Sequence, residues 1–170
     1  MYFHASPQRL PSVIEPTGYY ERIDEHGNPV TAPFQDFTGL PTAFLESRIP
    51  ETAFAKNMGG AILGSVSAHR KPMLLHIYAT TEKPDVDISW YYDDWIDFDV
   101  TREVRYRKPV TVHRIASIRI TKRDVEAVNR AYESKVIEGD YDEYYVPPVK
   151  SRMMKLKRQF QKRIKREVRD

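Results

Sequence analysis

Three short stretches of this sequence hold residue types that can do chemistry together: "YFHAS" with His4 and Ser6, "TAFLES" with Phe44 and Ser47, and "TREVRYRK" with Glu103. A neutral imidazole both donates and accepts, so it can hold two neighbouring hydroxyls. A flat apolar ring such as Phe44 can hold a planar ligand by stacking, worth about 0.5–1.5 kcal/mol beyond the area it buries. A carboxylate such as Glu103 stabilises positive charge that develops at a sugar carbon as a leaving group departs. Each residue also has a plainer reading. His4 in an aromatic strand can be a satisfied core histidine, and Phe44 between Ala43 and Leu45 can be ordinary core. Glu103, set among Arg102, Arg105, Arg107 and Lys108, can be an ion-pair partner worth less than about 1 kcal/mol at a surface. Only their joint occurrence brings the chemical reading level with the plain one.

Other chemistries are excluded by pattern. The chain has no phosphate loop of the G-x-x-x-x-G-K-[ST] type, no G-x-G-x-x-G, no H-E-x-x-H and no G-x-S-x-G. The five histidines, at 4, 26, 69, 76 and 113, show no metal-ligand spacing, so no metal is expected. The absence of cysteine excludes disulfides and agrees with a reducing, cytoplasmic setting. No stretch approaches the roughly 18 apolar residues of a membrane span, and the first residues do not read as an export signal.

The elements that must position these residues follow from pattern. Tyr2 to Ser6 reads as a strand closed by Pro7, and the prolines at 7, 11 and 16 keep the next run extended or turned. Gly27-Asn28-Pro29 marks a turn, and Thr42 to Leu45 a further short strand. A helix is expected at about 50–58, with Ser47 as a cap before it, Pro50 in its first turn and Gly59-Gly60 as its stop. "PMLLHIYATT" and "KPVTVHRIASIRIT" read as strands, the second with Val110, Val112, Ile118 and Ile120 in partial alternation. From Thr121 the pattern turns helical: Thr121 and Asp124 resemble a capping box, Val125, Val128, Ala131, Tyr132 and Val136 form one stripe, and Gly139 ends it.

These elements define an α+β fold: a split, mainly antiparallel β-sheet core with a few helices, followed by a basic C-terminal amphipathic helix. At 170 residues the chain suits one domain with some length to spare. Pro147-Pro148 suggests a hinge, so residues 1–148 are expected to form the domain and 149–170 the helix.

In their order and spacing, "YFHAS", then "TAFLES" with "PETAFAKNM", then "TREVRYRKPVTVHRIASI" resemble the ADP-ribosyltransferase fold. The resemblance is to its diphtheria-toxin-like branch, which includes the poly-ADP-ribose polymerases and the rifampicin-modifying transferases. In that branch a first strand of the type aromatic-His-Gly/Ala-Thr/Ser gives a histidine to nicotinamide adenine dinucleotide (NAD). A second strand, followed by a helix, gives a stacking aromatic. A third opens on an acidic residue. The resemblance covers about residues 1–120. It implies that His4 bonds the adenosine ribose with Ala5 and Ser6 beside it, that Phe44 stacks on the nicotinamide with Ser47 nearby, and that Glu103 holds a hydroxyl of the nicotinamide ribose. Ala5 stands where glycine is commoner, and Phe44 where tyrosine is commoner, which keeps stacking and loses the phenolic hydroxyl. The rifampicin-modifying enzymes take their aspartate from a different loop, which makes Asp85 or Asp87 an alternative to Glu103. The function so implied is mono-ADP-ribosyl transfer from NAD to a macromolecular or small-molecule acceptor, without a metal. The alternative is a non-catalytic binding module of the same fold that engages nucleic acid or protein. A third use of the same dinucleotide, removal of an internal phosphate from RNA, would want arginines around the pocket, such as Arg9, Arg102 and Arg114.

Charge is unevenly distributed. Residues 150–170 hold ten of the 27 cationic and two of the 24 anionic residues, a net +8, against −5 for residues 1–149. Val149, Met153, Leu156, Phe160, Ile164 and Val168 recur at helical spacing, so the tail reads as a basic helix with a narrow apolar stripe. It can pack on its own acidic domain, contact nucleic acid or another anionic surface through its cations, or enter a partner's groove. The segment "DVDISWYYDDWIDF" interleaves tryptophan and tyrosine with aspartate, as either a core edge or an acceptor-facing surface.

Overall fold

"YFHAS" and "MLLHIYAT" build the middle of one sheet, where the last six residues of the second are buried in unbroken succession because both faces of the sheet are covered there. The computed structural model describes residues 1–16, 21–23, 29–31, 51–90, 98–133 and 146–168. Strands β1 (Tyr2–Ser6), β5 (Thr52–Ala55), β6 (Met73–Thr80), β7 (Val86–Asp87), β8 (Glu103–Tyr106) and β10 (His113–Ile120) form a six-stranded antiparallel sheet in the order β10-β6-β1-β5-β8-β7. Strand β1 lies inside this sheet, with β6 on one side and β5 on the other. Two small antiparallel ribbons accompany it, β2 (Val13–Ile14) with β9 (Val110–Thr111) and β3 (Glu21–Ile23) with β4 (Pro29–Thr31). The architecture is α+β with a C-terminal helix, as the pattern implies.

One face of the sheet carries helices α1 (Met58–His69), α3 (Lys122–Glu133) and α4 (Val146–Glu167). The main core lies there: Ala5, Leu75, Ile77, Ile118 and Ile120 from strands meet Ile62, Leu63 and Val66 of α1, Val125 and Val128 of α3, and Met153, Phe160 and Ile164 of α4. A smaller core on the other face joins Phe54, Tyr78, Val104 and Tyr106 to Ile14 and Val110 of the β2–β9 ribbon and to Val112 just after it, with Tyr2 and Leu10 at its edge. Val110, Val112, Ile118 and Ile120 are all even-numbered, yet they serve opposite faces. A register shift between Arg114 and Ala116 inserts one residue and reverses the parity.

The expected helix at about 50–58 is not there. Residues 52–55 form β5, because β1 and β8 offer them a ladder on both sides, and the helix runs from Met58 to His69 with Asn57 as its cap. The Asn57 side chain accepts from the Gly60 amide at 2.7 Å. Gly59 and Gly60 therefore begin a helix instead of ending one, and close packing is their reason. A Cβ on Gly59 would lie 2.4 Å from the Lys157 carbonyl of α4, and one on Gly60 would lie 2.0 Å from the Thr101 carbonyl at the end of α2 (Phe98–Thr101). The strand expected at 42–45, the turn at Gly27-Asn28 and the aromatic positions 91–97 lie outside the described residues.

The capping box forms as expected: the Thr121 amide and hydroxyl donate to the Asp124 carboxylate at 2.7 and 2.9 Å. Arg163 of α4 grips the same carboxylate with two guanidinium nitrogens at 2.9 and 3.1 Å, and donates to the Arg119 carbonyl at 2.6 Å. Helix α4 thus packs on the body. It starts at Val146, so Pro147 and Pro148 lie in its first turn, where proline's missing N–H is tolerated.

Candidate functional site

Register decides which side chains can meet. Facing residues of paired strands share a face of the sheet. Tyr78 faces His4 on one side, Arg114 faces Tyr78 beyond it, and the pairing of Phe3 with Ala55 sets Phe54 beside His4. Phe54 faces Val104, which faces Asp87. Arg114, Tyr78, His4, Phe54, Val104 and Asp87 therefore form one transverse row on the face away from the helices.

His4 sits near the middle of this row. Its Nδ1 lies 2.8 Å from the Ala53 carbonyl, which can only accept, so the proton is on Nδ1 and Nε2 remains an acceptor. Burial holds its pKa below the ordinary histidine value, against the raising effect of that carbonyl bond, so the ring is neutral at pH 7. The Phe54 ring leans on it, with centroids 5.2 Å apart.

One row further along, Ser6 faces His76, and His76 faces Ser117. The His76 Nδ1 and the Ser117 hydroxyl are hydrogen-bonded at 2.9 Å, and Ser6 accepts from the Gln8 amide at 3.1 Å. The chain after β1 folds back over the sheet and is pinned where the Leu10 amide donates to the Tyr78 hydroxyl at 2.7 Å. That fold-back leaves a cleft of about 330 Å³, with Arg9 and Arg114 on its wall, His113 and Ser12 beside them, and Leu10 and Tyr78 giving it apolar surface. Burial lowers the His76 pKa, and the Arg114 and Arg9 guanidinium groups lower it further. Neither arginine is in an ion pair with a described residue, so the cleft offers positive charge to an anion.

Glu103 is elsewhere. It faces Ala55, which faces Phe3, so its side chain points to the helix-bearing face, opposite to His4. There its Oε1 lies 2.6 Å from Nη2 of the buried Arg105, whose other guanidinium nitrogen lies 3.8 Å from Glu51; Arg107 holds Glu51 at 2.8 Å, and Phe98 stacks on Arg105. Burial raises the Glu103 pKa, with Glu51 adding to the rise and Arg105 opposing it. Ala5 also faces the helices, in the main core.

Of the other carboxylates, Asp85 accepts from the Arg107 amide at 2.8 Å. Asp87 bonds Lys56 at 2.6 Å and the Ser89 amide and hydroxyl at 3.0 and 2.6 Å, and these bonds outweigh burial and hold it below the usual carboxylate range. Strand order therefore brings His4 and Asp87 onto one face and separates both from Glu103. Phe44 and Ser47 lie outside the described residues. The aromatic beside His4 is Phe54, which lies within the helix that the sequence pattern predicts at about 50–58; the Asn57 cap just after it is the signal that a strand ends there.

Among the described residues no three histidine, aspartate or glutamate side chains gather as metal ligands. No helix among them is long and apolar enough to cross a membrane. Comparison of the chain with protein-family models, with curated proteins and with solved structures finds no match.

Proposed function

We propose that this protein is a mono-ADP-ribosyltransferase that takes ADP-ribose from NAD. What carries the reading is the row across the open sheet face, in which a neutral His4 with a fixed tautomer stands between a cationic cleft and an ionised carboxylate. His4 Nε2 accepts from a hydroxyl of the adenosine ribose. Arg9 and Arg114 lie beyond His4, on the side away from Asp87, so the pyrophosphate that joins the two riboses runs between His4 and Asp87 and these cations flank the adenosine end. Asp87, three strand spacings or about 14 Å from His4, is the carboxylate we assign to the other ribose of an extended dinucleotide. Its carboxylate stabilises the oxocarbenium character that develops there. The bond between nicotinamide and ribose breaks with its electron pair leaving on neutral nicotinamide. The acceptor's nucleophile bonds to the same carbon, and its proton passes to solvent or a nearby base.

A second reading, a non-catalytic binding module of the same fold, is favoured by the engagement of Glu103 with Arg105 on the far face. Calorimetric titration with NAD, followed by assay for released nicotinamide, separates the two. The transferase binds and slowly releases nicotinamide; His4→Ala weakens binding, and Asp87→Asn keeps binding and loses release. If release survives Asp87→Asn but is lost in a folded Glu103→Gln protein, the carboxylate is Glu103. If neither binding nor release is found, the binding module stands.

A further inference from the structure

We infer that the outward face of α4 docks on the phosphate backbone of double-stranded nucleic acid. The inference rests on the charge and packing of this helix and is independent of the transferase reading.

The cations of α4 fall into two groups. Those turned toward the body have partners: Lys150 pairs with Asp99, Lys157 donates to the Val100 carbonyl at 2.7 Å, and Arg163 grips Asp124. Those turned outward do not. Arg152, Lys155, Arg158, Lys162, Lys165 and Arg166 are exposed, recur three and four residues apart, and form no ion pair with a described residue. Like charges at such spacing destabilise a helix by about 0.2–0.5 kcal/mol per pair. The fold gains nothing from that cost, whereas a polyanion would neutralise it.

The apolar stripe of α4 narrows the choice of partner. Met153, Phe160 and Ile164 are buried against the sheet and α1, so α4 cannot insert that stripe into a bilayer or a partner's groove without leaving its own core. What remains exposed is polar and mostly cationic. From Arg152 to Arg166 it extends about 21 Å along a straight helix, within the length and width that a duplex groove admits. Ser151 and Gln159 complete this face, which has no aromatic residue. Single-strand binding draws about 1–3 kcal/mol per base from stacking on aromatic rings, so this surface suits a duplex, which offers the denser line of charge.

Four to six phosphate contacts give a log–log slope of affinity against salt of about −4 to −5. The test is fluorescence anisotropy of a labelled 20-base-pair DNA duplex with the full chain between about 50 and 200 mM KCl, without NAD. Binding should weaken by on the order of 10²–10³-fold across that range. Arg158→Gln with Lys162→Gln should lower the slope by about two, while the melting temperature does not fall and the NAD titration stays as it was. Three results would overturn the inference: no duplex binding at the lowest salt, binding insensitive to salt, or an unchanged slope in the double variant. It also fails if a single strand of equal length, or vesicles containing phosphatidylserine, bind as tightly as the duplex.

Discussion

His4 donates one ring proton to a carbonyl and keeps its other nitrogen unprotonated, and that state has a measurable consequence for stability. His4, His69 and His76 all have pKa values below the ordinary 6.5, with burial the leading cause in each. The unfolded chain therefore binds more protons than the folded one just below pH 6.5. Their contribution is fully present above that pH and is lost as pH falls toward the depressed values. Melting temperature should accordingly be flat from about pH 7 to 8 and fall between about pH 6.5 and 5. His4→Gln should shallow that fall by up to one proton's worth of slope. An unchanged profile in the variant would show that His4 takes up its proton as readily in the fold as in the unfolded chain. Glu103 behaves differently as a residue: removing one partner from a buried pair costs about 3–5 kcal/mol, and Glu51 beside Arg105 moderates that loss. Activity of Glu103→Gln is thus interpretable only beside its melting curve.

Between elements, the close approach of α1 and α4 depends on one missing side chain. Gly59 donates its amide to the Gln161 side chain at 2.6 Å and leaves no room for a Cβ beneath the Lys157 carbonyl. Gly59→Ala favours the helix intrinsically by about 1 kcal/mol, yet the clash is with backbone, which cannot rotate away. The net effect should be destabilisation of about 1–3 kcal/mol, read by denaturant unfolding, with faster hydrogen exchange in α4. A stabilised Gly59→Ala protein would mean that α4 sits further from α1 than described.

For the whole molecule, α4 is part of the main core although it is the last element in sequence. Burying a side chain of the size of Met153, Phe160 or Ile164 contributes about 1.5–3 kcal/mol, and a domain is stable by only about 5–15 kcal/mol. A chain ending at residue 148 should therefore lose cooperative unfolding and expose the sheet to hydrophobic dyes. If it melts like the full chain, the core is complete without α4.

How much of this was legible in the sequence follows from the range over which each signal acts. The strands at Tyr2–Ser6, Met73–Thr80 and His113–Ile120, the helix capped by Thr121 and Asp124, and the amphipathic C-terminal helix were all readable, because alternation, helical period and capping are set by neighbours a few residues apart. Tertiary structure alone decided the rest. "TAFA" became a strand because β1 and β8 both offered it hydrogen bonds, and Gly59-Gly60 opened a helix because two other elements press against it. The separation of His4 from Glu103 onto opposite faces, and the meeting of His4 with Phe54, depend on register between strands some 50 residues or more apart. Parity within one strand fixes only which residues alternate; which face each set shares with another strand is fixed when the strands pair.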